Sequence, residues 1–214
     1  MSRDRKAPSL GWPPADPLAL KDFPQRNLSP EIRLFRVVRR GRGPWWFGSS
    51  MEGRFDLPEP AGTCYLAADE LSALLEVLAP ERDRAMISME LLEQRGIREL
   101  QVPRETTLSD LTSRRASGFG ITAEIGTIVP YEQPQAWAAS LYRAGFLGIV
   151  YWLRHDPSRA EGIALLGPHG ERKHWKRGRE RPISEELIER LHTEYGIEVV
   201  PIPTSRQLRI LDEE

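Results

Sequence analysis

The 214-residue chain has one cysteine, Cys64, so no intrachain disulfide is available to it, and this fits a reducing compartment. Its four histidines, at 155, 169, 174 and 192, do not fall with that cysteine at metal-ligand spacing, so no metal is expected. No apolar run approaches the roughly 20 residues that span a bilayer, and no membrane association is expected. The opening MSRDRKAPSLGWPPADPLAL lacks the apolar stretch of a secretion signal, and the chain is read as cytoplasmic. The formal net charge is only -1, so no global field draws the protein onto nucleic acid, and direct nucleic-acid binding is not expected. Neither a Walker sequence nor G-x-G-x-x-G occurs, which removes the glycine loop that cradles phosphates at a helix start. The nucleophile elbow G-x-S-x-G is missing too, and the serines of WFGSS (46–50) have no activating base nearby, so covalent serine chemistry is not expected. HDP (155–157) is better explained as an Asp-Pro turn than as a metal site.

What is present is the composition of a globular protein, 40% apolar and 29% charged, long enough for one sizeable domain. The charge is uneven. Residues 1–54 hold eleven Lys/Arg against five Asp/Glu, and KHWKRGRER (173–181) is basic again. Two readings stay open for these stretches: a solvated surface, or a rim that attracts a phosphate-bearing ligand.

Residues 1–30 are proline-rich with little periodicity and read as an arm, wrapped over the domain or loose. EIRLFRVV (31–38) alternates as a strand does. The glycine-rich loop 39–53 carries Trp45, Trp46 and Phe47, aromatics that such a loop folds back as a lid or a cleft wall. GTCYLA (62–67) is a short strand. DELSALLEVLA (69–79) is a helix with Asp69 as N-cap, a stripe of Leu71, Leu74, Leu75 and Leu78, and Pro80 as its stop. Residues 85–102 hold two apolar segments read as strands, with helix as the alternative for the first, and 107–127 reads as loop with a short helix. EQPQAWAASLYRAG (132–145) is a helix closed by Gly145, and 148–153 and 162–167 are strands. A helix runs from an N-cap at Ser184 through Tyr195 to Gly196, followed by a last strand at 197–202. Short strands with a few inserted helices make an α+β pattern rather than a regular βαβ alternation. One domain over 31–203, followed by a tail at 204–214, is expected.

One constellation carries chemistry. Arg36 stands on the first strand, Arg54 after the aromatic loop, Tyr65 on the next strand and Glu76 on the following helix. Arginine forks match pyrophosphate oxygens. A tyrosine face suits a flat cationic ring such as nicotinamide. A carboxylate stabilises an oxocarbenium-like sugar or holds a ribose hydroxyl. Together they suit cleavage of an N-glycosidic bond in a dinucleotide. Each also has a plainer reading: a strand-edge arginine, a core tyrosine, and, for Glu76, a solvated glutamate, since it lies off the leucine stripe.

The run LFRVVRRGRGPWWFG…GRFDLPEPAGTCYLAADELSALLEVL, with YEQPQAWAASLYRAGFLGIVYWLRHDPSRAEGIALLGP, resembles the RES domain family over residues 31–168. The resemblance implies an ADP-ribosyltransferase-like fold, with short mixed and antiparallel strands in two small sheets around a cleft. It also implies an NAD-consuming toxin of a bacterial toxin–antitoxin pair, by hydrolysis or phosphorolysis, with an Xre-like antitoxin as partner and a homodimer as a common assembly. In this reading Arg36 and Arg54 hold the phosphates of NAD, Tyr65 positions the nicotinamide side and Glu76 acts at the ribose. Trp46, Gln135 and Arg154 are further substrate-binding candidates. One departure stands out: Leu153 replaces the serine usual before the arginine that follows Gly-Ile-x-Tyr, so either Ser158 or another hydroxyl substitutes or this subgroup does without it. Transfer of ADP-ribose to a protein, and a non-enzymatic partner-binding module, are the rival readings.

Overall fold

The computed structural model describes residues 10–78, 86–156 and 158–201. The start of the arm, the stop at Pro80, Pro157 of the HDP turn and the tail at 204–214 lie outside the described residues. The chain builds one mixed sheet of eight strands. These are β1 (Gln25–Leu28), β2 (Leu34–Arg39), β4 (Ala61–Ala67), β6 (Arg95–Leu100), β7 (Thr106–Asp110), β8 (Gly148–Trp152), β9 (Glu161–Pro168) and β11 (Glu180–Arg181). Their spatial order is β1-β7-β8-β9-β4-β2-β6-β11. Within the described part of this sheet only β7 and β8 pair in parallel. Two small ladders flank it: β3 (Trp46–Phe47) with β10 (Gly170–Glu171), and β5 (Met86–Ser88) with β12 (Glu198–Val200).

The feature that positions the site is a near-division of the sheet. β4 pairs with β9 along all seven of its residues, from Ala61↔Pro168 to Ala67↔Gly162. β2 pairs with β6 along all six of its own. Between β2 and β4 the register holds at a single pair, Phe35↔Ala67. Beyond that pair the two strands splay, and backbone that would otherwise form a ladder opens a wedge. The α+β arrangement expected from the sequence therefore takes the form of two half-sheets hinged at one point.

Each half has its own filling. Helix α3 (Glu132–Arg143) lays Trp137 and Leu141 on the larger half, with Phe55, Ile149 and Leu166. Helix α1 (Glu70–Leu78) buries Leu71, Leu74, Leu75 and Leu78 against the smaller half, where Leu187 and Leu191 of α4 (Glu185–Tyr195) complete the cluster. Each buried leucine contributes roughly 1.5–3 kcal/mol relative to exposure. The caps follow the sequence. Asp69 Oδ1 accepts the Ser72 N–H at 2.9 Å, Ser184 Oγ accepts the Leu187 N–H, and Gly196 closes α4 in the left-handed region at φ 66°.

The structure decides one open reading, that of the arm, and departs from the sequence reading in three places. The arm supplies β1 and buries Leu10, Leu20 and Phe23, so its described part is wrapped into the fold. The first apolar segment of 85–102 divides into β5 and a short helix α2 (Met89–Glu93). Residues 106–110, expected as loop, form β7, held between β1 and β8. Trp45 and Phe47 form neither a lid nor a wall of that wedge: they are buried in a third core cluster, with Trp175 packed edge-on against both, while Trp46 between them is 49% exposed. Strand alternation explains it, since β3 sends neighbouring side chains to opposite faces.

Candidate active site

The wedge between β2 and β4 is a cleft of about 390 Å³. Arg36 comes to it from β2 and Tyr65 from β4, the two strands that part. Helix α1 closes one side. Its positions 73, 76 and 77 are one face at i, i+3 and i+4, so Ala73, Glu76 and Val77 meet the cleft while the leucine face meets the core. Lying off the leucine stripe is thus what turns Glu76 toward the cavity. The C-terminal end of β8 brings Tyr151, and the turn after it brings Arg154 and His155. Arg54 and Tyr131 complete the wall.

Arg54 is 9% exposed. Its Nη1 donates to the carbonyls of Ile128 at 3.1 Å and Ile125 at 3.4 Å, and its guanidinium lies 4.6 Å from the Tyr131 ring centroid. Its other donors, on Nε and Nη2, bond to no group among the described residues. Burial pushes its pKa below the usual arginine value; Arg154 adds like-charge repulsion, and Tyr131, Tyr151 and Glu76 oppose the shift. A buried cation under that pressure favours an anionic ligand.

Tyr65 presents its ring, because its hydroxyl is engaged. It accepts the Phe55 N–H at 2.8 Å and donates to Asp56 Oδ1 at 2.9 Å. Burial, then Asp56, raises its pKa well above that of free tyrosine, so the phenol stays neutral. The loop that carries Arg54 is wound on this anchor: Asp56 Oδ2 accepts from the Gly53 N–H and the Ser50 hydroxyl. A β-carbon at Gly53 would collide with Asp56 and the Tyr65 hydroxyl, so the close approach requires glycine. Tyr151 is nearly buried, and desolvation together with the Glu76 carboxylate raises its phenol well above the ordinary range. Glu76, which lines the cleft, is near enough to Tyr151 and Arg54 to act on the ionisation of both.

Of the residues singled out in the sequence, Arg36, Arg54, Tyr65, Glu76 and Arg154 share this cavity. Trp46 and Gln135 do not line it. The Trp46 ring lies edge-on to His169 at 5.3 Å. Gln135 Nε2 donates to the carbonyls of Met51 and Gly53, both at 2.9 Å, and so holds the Arg54 loop from behind. Arg36 is only partly turned to the cleft, because its Nη1 donates to the carbonyls of Pro44 and Trp46 and to Cys64 Sγ. Leu153 is buried in the core of the larger half, and Ser158 is exposed and does not line the cavity. The hydroxyls at the cavity belong to Tyr65, Tyr131 and Tyr151. Glu52, Tyr131, Tyr151 and His155 are the ionisable members that sequence reasoning missed. Among the described residues no group of three or more His, Cys, Asp or Glu is placed to hold a metal, and no helix is long and apolar enough to cross a membrane.

The fold is similar to that of a chain in the crystal structure of the M. tuberculosis MbcT–MbcA toxin–antitoxin complex. The TM-score is 0.56 at 14% identity, over 78% of this chain and 88% of that one. The likeness fits an ADP-ribosyltransferase-like fold. No curated protein matches the sequence significantly. The family model described as RES domain matches residues 33–184, well over half of the chain, and the protein belongs to the RES domain family.

Proposed function

We propose that the protein is the toxin of a bacterial toxin–antitoxin pair and that it consumes NAD by cleaving the bond between nicotinamide and ribose. The observation that supports this most is the meeting of the Glu76 carboxylate with Arg54, Arg154 and three tyrosines around one cavity, which Arg36 and Glu52 also border. Arginine donors suit the pyrophosphate. A neutral, immobilised Tyr65 ring offers a face to the cationic nicotinamide. As the C1′–N bond breaks, its electron pair leaves with nicotinamide, and positive charge builds on the ribose beside Glu76. Water then attacks C1′ and gives up a proton, leaving ADP-ribose. Phosphate in its place gives the ribosyl phosphate. Family membership and the toxin–antitoxin neighbour support the biological role, with a small antitoxin, Xre-like by family analogy, covering the cleft.

The test is purified protein with NAD, with and without phosphate, following free nicotinamide. Wild type releases it, and Glu76→Gln loses on the order of 100-fold of the rate with its fold intact by circular dichroism. Label from NAD appearing on a macromolecule would shift the reading to protein ADP-ribosylation. Absence of both products rejects NAD as substrate.

A further inference from the structure

Helix α4 lies just outside the span matched by the family model, yet it touches two elements that border the cleft. Leu187 and Leu191 pack in the cluster that seats α1, the helix of Glu76. At its last residue, the Tyr195 hydroxyl donates to Asp156 Oδ2 at 2.8 Å. Asp156 is 6% exposed and directly follows Arg154 and His155 in the turn after β8. Its other oxygen, Oδ1, accepts the Ser158 N–H at 2.8 Å, and its carbonyl accepts the Arg159 N–H at 3.3 Å. Arg159 sits at φ 64°, a conformation that a side chain other than glycine adopts only under constraint. One carboxylate therefore ties a strained turn to a helix that belongs to the opposite half-sheet.

We infer that Tyr195 is a positioning residue for the cleft: through Asp156 it fixes the turn that aims Arg154 at the bound dinucleotide, so that α4 braces both walls of the wedge at once. The inference rests on the NAD reading for its kinetic consequence and on the Tyr195–Asp156 bond alone for its structural one. Arg154 is exposed and long, and without the brace its guanidinium samples more of its range. The loss then falls on binding rather than on the chemical step, which belongs to Glu76.

The experiment is Tyr195→Phe, which keeps the ring in its apolar seat and removes only the donor, alone and in an Arg154→Ala background. Two readouts are taken: nicotinamide release, and hydrogen exchange of the backbone amides over 154–160. In the wild-type background Tyr195→Phe raises KM for NAD several-fold, up to about tenfold, with kcat within about twofold, and the turn exchanges several-fold faster. With Arg154→Ala the same change adds less than about twofold to KM, because the group it positions is gone. An equal rise in KM in both backgrounds, or unchanged exchange of the turn, overturns the inference. If wild type releases no nicotinamide, the NAD reading falls, and the exchange measurement still decides whether Tyr195 holds the turn.

Discussion

Two arginines in this protein lie over aromatic rings, Arg54 over Tyr131 at 4.6 Å and Arg172 over Phe47 at 4.3 Å. Both give N–H groups to backbone carbonyls, Arg54 to Ile125 and Ile128, Arg172 to Pro168 and Gly170. Both border a hollow, of about 390 Å³ for the first and about 200 Å³ for the second. By residue type the two clusters are near twins. They differ in what stands opposite the cation. Across the cleft Arg54 meets Glu76 and the phenols of Tyr65 and Tyr151. The hollow at Arg172 has no carboxylate among its described lining, which instead holds a second cation, Arg104, with the rings of Phe47, Tyr142 and Trp175. An arginine on a ring is thus packing by default. It becomes part of a candidate site only where a parted sheet edge brings it a carboxylate and room for a ligand.

Removing each cation is the strongest test of that difference. Arg54→Ala is expected to lower nicotinamide release by about 100-fold or more. It also destabilises the fold by roughly 2–4 kcal/mol, since two buried carbonyls lose their donor and a ring loses its cation. Arg172→Ala is expected to cost about 1–2 kcal/mol of stability and to leave the rate within about twofold. Steady-state kinetics beside a thermal melt separates the two quantities. Equal losses of rate in both variants would break the comparison.

How far this contrast could be read in the sequence depends on distance along the chain. Helix α1 was legible with its cap, because Asp69 and the leucine spacing are local signals. The same periodicity set Glu76 apart from the core face, and the order of motifs around it pointed to the family. Tyr151 was hidden for a physical reason. It is the fourth residue of GIVYW, a strand buried along nearly its whole length, where alternation is silent and a tyrosine reads as one more core residue. β7, with the polar run TTLSD, looks like loop until β1 and β8 enclose it. The two-residue β3 is too short to show a period at all, so in the sequence Trp45 and Phe47 read as a lid or a cleft wall. The wedge itself is a statement about how many residues β2 and β4 pair, and neither strand carries that number.

Ionisation sharpens the comparison with a smaller effect. Burial raises the pKa values of Tyr65 and Tyr151 well above that of free tyrosine, with Asp56 adding to the first and Glu76 to the second. An acid whose pKa rises on folding contributes its stability fully below the unfolded-state pKa and loses it as pH climbs past that value. The melting temperature should therefore not respond to these groups in neutral solution and should fall above about pH 10. Each such phenol that stays neutral costs up to about 1.4 kcal/mol per pH unit there. Tyr151→Phe should flatten part of that fall, because a phenylalanine ring has no proton to lose in the unfolded chain. Melts of the two proteins between pH 8 and about 11 measure it. Parallel curves would mean that Tyr151 is not held neutral beside Glu76.

Trp46→Ala is expected to have the smallest effect. Its neighbours Trp45 and Phe47 are fully buried, whereas Trp46 is half exposed and its ring touches His169 away from the cleft. Its structural contribution is made by the backbone. The Trp46 carbonyl accepts from Arg36, and the residue pairs with Glu171, and alanine preserves both. Stability should stay within about 0.5 kcal/mol of wild type. Because Arg36 keeps its backbone acceptors, KM for NAD should stay within about twofold. A substantially larger rise in KM at unchanged stability would show that the dinucleotide extends past Arg36 onto the exposed indole. The substrate footprint would then reach the packed cluster, and the boundary between the two regions would have to be redrawn.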